Sequence, residues 1–127
     1  DFDKIIRPKH RISRNHPMPF NHQSVFVRIS LHKMNLFDIT YRYAADYNFF
    51  CKIYKIARYK ETDQIIANYS VDGISSTNGI AVNKERIKSN PCIYTYYLHV
   101  LYYRNRFIKS ILNKLRCKKF INTLRKI

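Results

Sequence analysis

Three short polar clusters hold the side chains best suited to chemistry: Asn21-His22-Gln23, Ala44-Ala45-Asp46-Tyr47 and Gly73-Ile74-Ser75-Ser76-Thr77-Asn78. A carboxylate such as Asp46 takes a proton from a hydroxyl as a new bond forms at the oxygen, provided it stands within hydrogen-bond reach. His22 and Gln23 offer donors and acceptors, and the small polar residues of the third cluster suit contact with hydroxyl or phosphate groups. Tyr47 either offers a ring face to a ligand or fills the edge of a core. Each cluster adjoins an apolar segment and falls at a loop or element terminus, where functional groups concentrate. Each also has a structural use. An Asp at a helix start complements the helix dipole, a histidine pins a loop, and small polar residues make a solvated turn.

The elements that must position these clusters follow from pattern. Ser24 to Arg28 is short, β-branched and aromatic, and predicts a strand directly after His22-Gln23. Ser30 offers an N-cap for a short helix through Leu31 and Met34, and Phe37-Asp38 reads as a loop. The clearest helix runs from about Tyr43 to Arg58, with Ala45, Phe49, Phe50, Ile53 and Ala57 at spacings of three and four. Asp46 shares that stripe, so its carboxylate is expected on the packed side of the helix. Gln64 to Ser70 predicts a second strand, ending at the turn signal Asp72-Gly73. A further helix opens at Lys84 to Lys88 and breaks at Asn90-Pro91 before a tyrosine-rich stretch. From Arg104 an apolar stripe of Phe107, Ile108, Ile111, Leu112, Leu115, Ile121 and Leu124 is interleaved with basic residues.

In order along the chain, Met18-Pro19-Phe20-Asn21-His22-Gln23-Ser24-Val25-Phe26-Val27, Phe37-Asp38, Ala44-Ala45-Asp46-Tyr47-Asn48-Phe49-Phe50 and Gly73-Ile74-Ser75-Ser76-Thr77-Asn78 resemble bacterial family 2 glycosyltransferases of surface-polysaccharide loci. The resemblance covers roughly residues 7–90, and its specificity lies in four motifs occurring in the right order. It implies an α/β fold, the C-terminal portion of a GT-A-type domain with few strands packed among helices, followed by a basic amphipathic C-terminal helix. Residues 1–90 would be the acceptor-side part of an incomplete catalytic domain, and 91–127 a basic, Tyr-rich helical tail. The donor-binding half would precede this chain, so the fragment alone is expected to be inactive. The full enzyme would transfer a sugar from a nucleotide-sugar donor to a hydroxyl of a glycan or lipid-linked acceptor, with inversion. By the resemblance Asp46 is the base, while His22, Gln23, Tyr47, Gly73, Ser75, Ser76 and Asn78 line the acceptor or diphosphate side. Asn21 departs from the small or thiol residue expected before His-Gln. A divalent metal, Mg or Mn, is expected in the full enzyme, held by the half that is missing. Asp1-Phe2-Asp3 lies too close to His22 and lacks the apolar strand such a metal motif follows, so no residue here is expected to ligate a metal.

Composition sets the outer bounds. The 127 residues suffice for one compact core, and two glycines are few for a nucleotide site. Cys51, Cys92 and Cys117 form no Cys-x-x-Cys pair, which suggests neither zinc nor a disulfide framework. No apolar run reaches the roughly 20 residues of a membrane span, and a cytoplasmic location is expected. The formal charge is +16, and residues 91–127 carry nine Lys/Arg and no acid. Two homes suit that tail: contact of residues 104–127 with an anionic membrane on its inner face, or packing on the domain with a solvated basic face. The rival class is a small basic nucleic-acid-binding module, in which tyrosines stack on bases. Concentration of the charge in the tail argues against it, and no nucleic-acid partner is expected.

Overall fold

The computed structural model describes residues 7–8, 10–68 and 78–114 of the chain. Among these, the elements are a 3-10 turn at His22–Ser24 and four helices: α1 (Ile29–Met34), α2 (Ala45–Ile53), α3 (Gly79–Ser89) and α4 (Ile93–Lys114). No strand occurs among the described residues, which overturns the expected α/β architecture with its GT-A sheet. The helices survive the correction, but the two expected strands do not.

The physical reason is visible at the first of these. Val25 is extended, at φ −127° and ψ 130°, and Val25 and Val27 pack inward while Phe26 is 87% exposed. Alternation of period two is therefore real, and it serves to lay the segment on α2. β-Branched and aromatic residues favour extended backbone, but a strand also needs a neighbour to complete its ladder, and none pairs with it among the described residues. Residues 64–68 of the second expected strand are likewise irregular, with Ile65 67% exposed; Tyr69 and Ser70 lie outside the described residues.

The core is small and centres on α2. Phe49, Phe50 and Ile53 are 1, 8 and 3% exposed, with Met18, Phe20, Val25, Val27, Leu31 and Ala57 packed against them. Phe20 meets Phe50 edge-on at 4.9 Å between centroids, the arrangement favoured by the ring quadrupoles. Regular helix ends sooner than the expected Arg58, because Tyr54 takes the C-cap and the N–H groups of Ile56 and Ala57 both return to the Ile53 carbonyl. In α1 the cap is Arg28, without a side-chain bond, so Ser30 lies inside the helix rather than capping it. Asn35 Nδ2 donates to the Leu31 carbonyl at 3.1 Å and closes the other end.

α3 is longer than the stretch from Lys84 to Lys88 suggested. It begins at Gly79, whose missing side chain admits Tyr102: a Cβ there would sit 2.8 Å from Tyr102 Cζ. The break at Asn90-Pro91 is where the helix ends. Thr95 then ties the next start, donating its hydroxyl to the Asn90 carbonyl at 2.7 Å and accepting from the Cys92 N–H at 3.2 Å. The tyrosine-rich stretch and the beginning of the basic stripe form one helix, α4. Leu115, Ile121 and Leu124 of that stripe lie outside the described residues.

Candidate functional site

Asn21 builds the turn that carries the first motif. Its Oδ1 accepts from the Gln23 N–H at 3.2 Å, and its carbonyl accepts from the Ser24 N–H and hydroxyl at 3.0 and 2.8 Å. This is an Asx-type cap, and it accounts for Asn at this position. Packing of Met18, Phe20, Val25 and Val27 on α2 brackets the turn on both sides and carries it to the start of α2.

There His22 meets Asp46. The imidazole Nδ1 lies 2.9 Å from Asp46 Oδ2, with the histidine side chain 50% and the aspartate side chain 26% exposed. Asp46 Oδ1 accepts from the Tyr47 N–H at 2.7 Å, so both carboxylate oxygens have a fixed partner. Asp46 stands in the first turn of α2, where the helix dipole favours its negative charge. A carboxylate so held keeps further lone pairs for a third donor, and its partial exposure admits one.

The start of α2 is held from α3. Its N-cap is Ala44, which has no side chain able to cap. Glu85 supplies the carboxylate instead: Oε1 accepts from the Arg42 N–H at 3.0 Å, and Oε2 from Tyr43 and Ala44 N–H, both at 2.8 Å. Partial desolvation works to raise the Glu85 pKa, but the three N–H bonds and the nearby Lys88 charge outweigh it and hold the carboxyl below its usual range. Neighbours along α3 tie down the same region. The Arg86 guanidinium lies over the Tyr47 ring at 5.4 Å, and Lys88 over Tyr41 at 4.6 Å. Sequence reasoning missed Glu85, although a signal existed: it is the single acid in a helix that also holds Lys84, Arg86 and Lys88.

The other expected residues divide. Gln23 is exposed beside His22 in the turn. Tyr47 occupies the core edge: it is 7% exposed, its ring covered by Arg86, and its hydroxyl accepts from Asn90 Nδ2 at 3.4 Å. Burial pushes the Tyr47 phenol and the nearby Cys51 thiol both up to about 12, so neither ionises near neutrality. Such a ring is not presented for stacking on a sugar. Asn78 is exposed at the N-cap of α3, while Gly73, Ser75 and Ser76 lie outside the described residues.

No family model, curated protein or solved structure matches the chain. A partly exposed carboxylate, oriented by an imidazole and a backbone N–H, is fit to receive a proton from a ligand hydroxyl. Among the described residues no three His, Cys, Asp or Glu side chains gather as metal ligands would. Nor is any helix among them long and apolar enough to cross a membrane.

Proposed function

We propose that this chain is the acceptor side of a cytoplasmic inverting glycosyltransferase resembling family 2 enzymes, with Asp46 as the general base. The observation that carries the reading is the pairing of His22 Nδ1 with Asp46 Oδ2 at 2.9 Å. These residues come from two of the motifs behind the resemblance and are 24 positions apart, yet they meet at the start of one helix. The reading does not depend on a sheet. It needs a loop that carries His22, a helix that carries Asp46, and a core that holds them together.

In the reaction the acceptor hydroxyl gives its proton to Asp46 as its oxygen attacks the anomeric carbon of the donor sugar. The bond from that carbon to the diphosphate oxygen breaks on the opposite face, and its electron pair leaves with the nucleoside diphosphate. His22 donates its Nδ1–H to Oδ2 and fixes the direction in which the carboxylate receives the proton. Gln23, beside it, is placed to hydrogen-bond the acceptor. The nucleotide-sugar half, with its Mg or Mn ion, belongs to sequence outside these residues, and no step assigned here passes through the metal.

One feature favours a second assignment within the same pair. Contact through Nδ1 leaves Nε2 on the far side of the imidazole, as in hydrolase dyads where the carboxylate orients a histidine base. The two assignments separate in the complete enzyme. With Asp46 as base, Asp46→Asn lowers transfer by about a hundredfold or more while donor binding persists, and His22→Gln costs less than Asp46→Asn. If His22 is the base, that order reverses. Full activity in both variants removes the pair from the mechanism.

A further inference from the structure

One long face of α4 has no cover in the described chain. Its other side turns to α3, where Thr95 is 3% exposed and Tyr102 meets Gly79. On the open side Ile93, Val100 and Phe107 recur every seventh residue and are 89, 64 and 67% exposed, and Ile111 continues the line at 41%. By helical spacing Tyr96 and Tyr103 border this line on one edge and Tyr97 on the other, each about half exposed. The stretch from Arg104 onward therefore does not pack its apolar stripe on the domain within the described residues: Phe107, Ile108 and Ile111 all remain in solvent.

We propose that this face of α4, from Ile93 to Ile111, docks on an anionic lipid surface. Charge selects the occupant. Residues 91–127 hold nine Lys/Arg and no acid, so a second copy of this helix would meet its own positive charge. An anionic bilayer answers both features at once: it takes up the aliphatic and Phe side chains, its headgroups meet Arg104 on the same face, and the net positive charge of the stretch draws the helix to the surface. The bordering tyrosines have an apolar ring and a polar tip, the form that suits the headgroup boundary. Arg104 falls within the apolar line, where its stem can lie along the acyl boundary while its guanidinium, now on the Asn105 side-chain oxygen, reaches headgroups. Nucleic acid would satisfy the cations but leave Ile93, Val100 and Ile111 against water. The helix would lie on the surface, since it is not apolar enough to cross a membrane.

Flotation of the 127-residue chain with vesicles tests this. Vesicles of phosphatidylcholine with about one third phosphatidylglycerol should carry the protein at least about tenfold better than phosphatidylcholine alone, with binding weakened by salt. The double variant Val100→Glu, Phe107→Glu changes two exposed positions, so its far-ultraviolet circular dichroism should match the parent while flotation falls about tenfold or more. A second variant, Arg104→Glu, reverses the cation that lies within the apolar line and should lose most of the anionic preference. Absence of flotation overturns the proposal, as does equal flotation of parent and double variant. It is also overturned if the apolar substitutions only dissolve a dimer, or if the chain binds RNA in a salt-sensitive way without binding vesicles.

Discussion

Asp46 divides its carboxylate between a backbone N–H and an imidazole, and Glu85 gives all of its carboxylate to the backbone. The two acids face the same helix start with different tasks, one partly open to ligand and one spent on holding the turn at residues 42–44. Glu85→Gln keeps a single acceptor oxygen and loses the charge, so it should lower unfolding stability by about 1–2 kcal/mol, a figure kept low because the site is part-exposed. The pH dependence follows from the lowered Glu85 pKa. Its contribution is fully present above the ordinary glutamate pKa and is lost as pH falls through the depressed folded value. Urea denaturation of the parent and Glu85→Gln should therefore differ at neutral pH and converge under acid conditions. A gap that persists unchanged in acid contradicts the assignment. Asp38, held down chiefly by the Thr40 hydroxyl and then by its N–H, acts with the same sign.

At the scale of elements, helices were legible and sheets were not. The spacing of Phe49, Phe50 and Ile53 marks the buried side of α2 without reference to anything distant, and these residues are the core. It also placed Asp46 toward the packed side, and the side chain is indeed only 26% exposed. Strand readings at 24–28 and 64–70 relied on residue type, which reports local backbone preference and says nothing about whether a neighbour exists to pair with. Glu85 was missed for a related reason: its partners are more than forty positions away, beyond any pattern within one helix. The pairing of His22 with Asp46 was legible only as two separate motifs; their contact depends on how 18–27 folds over α2. Between α3 and α4, Gly79→Ala would press a methyl into the Tyr102 ring and should cost about 1–3 kcal/mol, read as a lowered thermal midpoint. An unchanged or raised midpoint would mean that the ring moves aside freely and that the close approach is incidental.

Across the whole molecule, the small core stands against a large amount of apolar surface left in water. Ile39 is 96% exposed and Phe26 87%, in addition to the open face of α4. Isolated exposed apolar residues are common, but so many on a chain of this size favour association. The 127-residue chain alone should therefore self-associate with rising concentration, and Phe26→Ser with Ile39→Ser should reduce light scattering without lowering the thermal midpoint. Scattering that is unaffected would exclude this surface. The positive charge does not prevent such contact, because it is concentrated toward the C-terminal end, in the stretch with no acid at all.

The proposed sugar transfer requires His22 and Asp46 to act as one unit. A double-mutant cycle in the complete enzyme measures that directly, with initial rates of nucleoside diphosphate release for the parent, His22→Gln, Asp46→Asn and the double variant. Residues that work through a single proton transfer lose activity non-additively, so the double variant should be little slower than Asp46→Asn alone. Losses that multiply independently, or rates within about twofold of the parent in the single variants, would contradict a shared catalytic role.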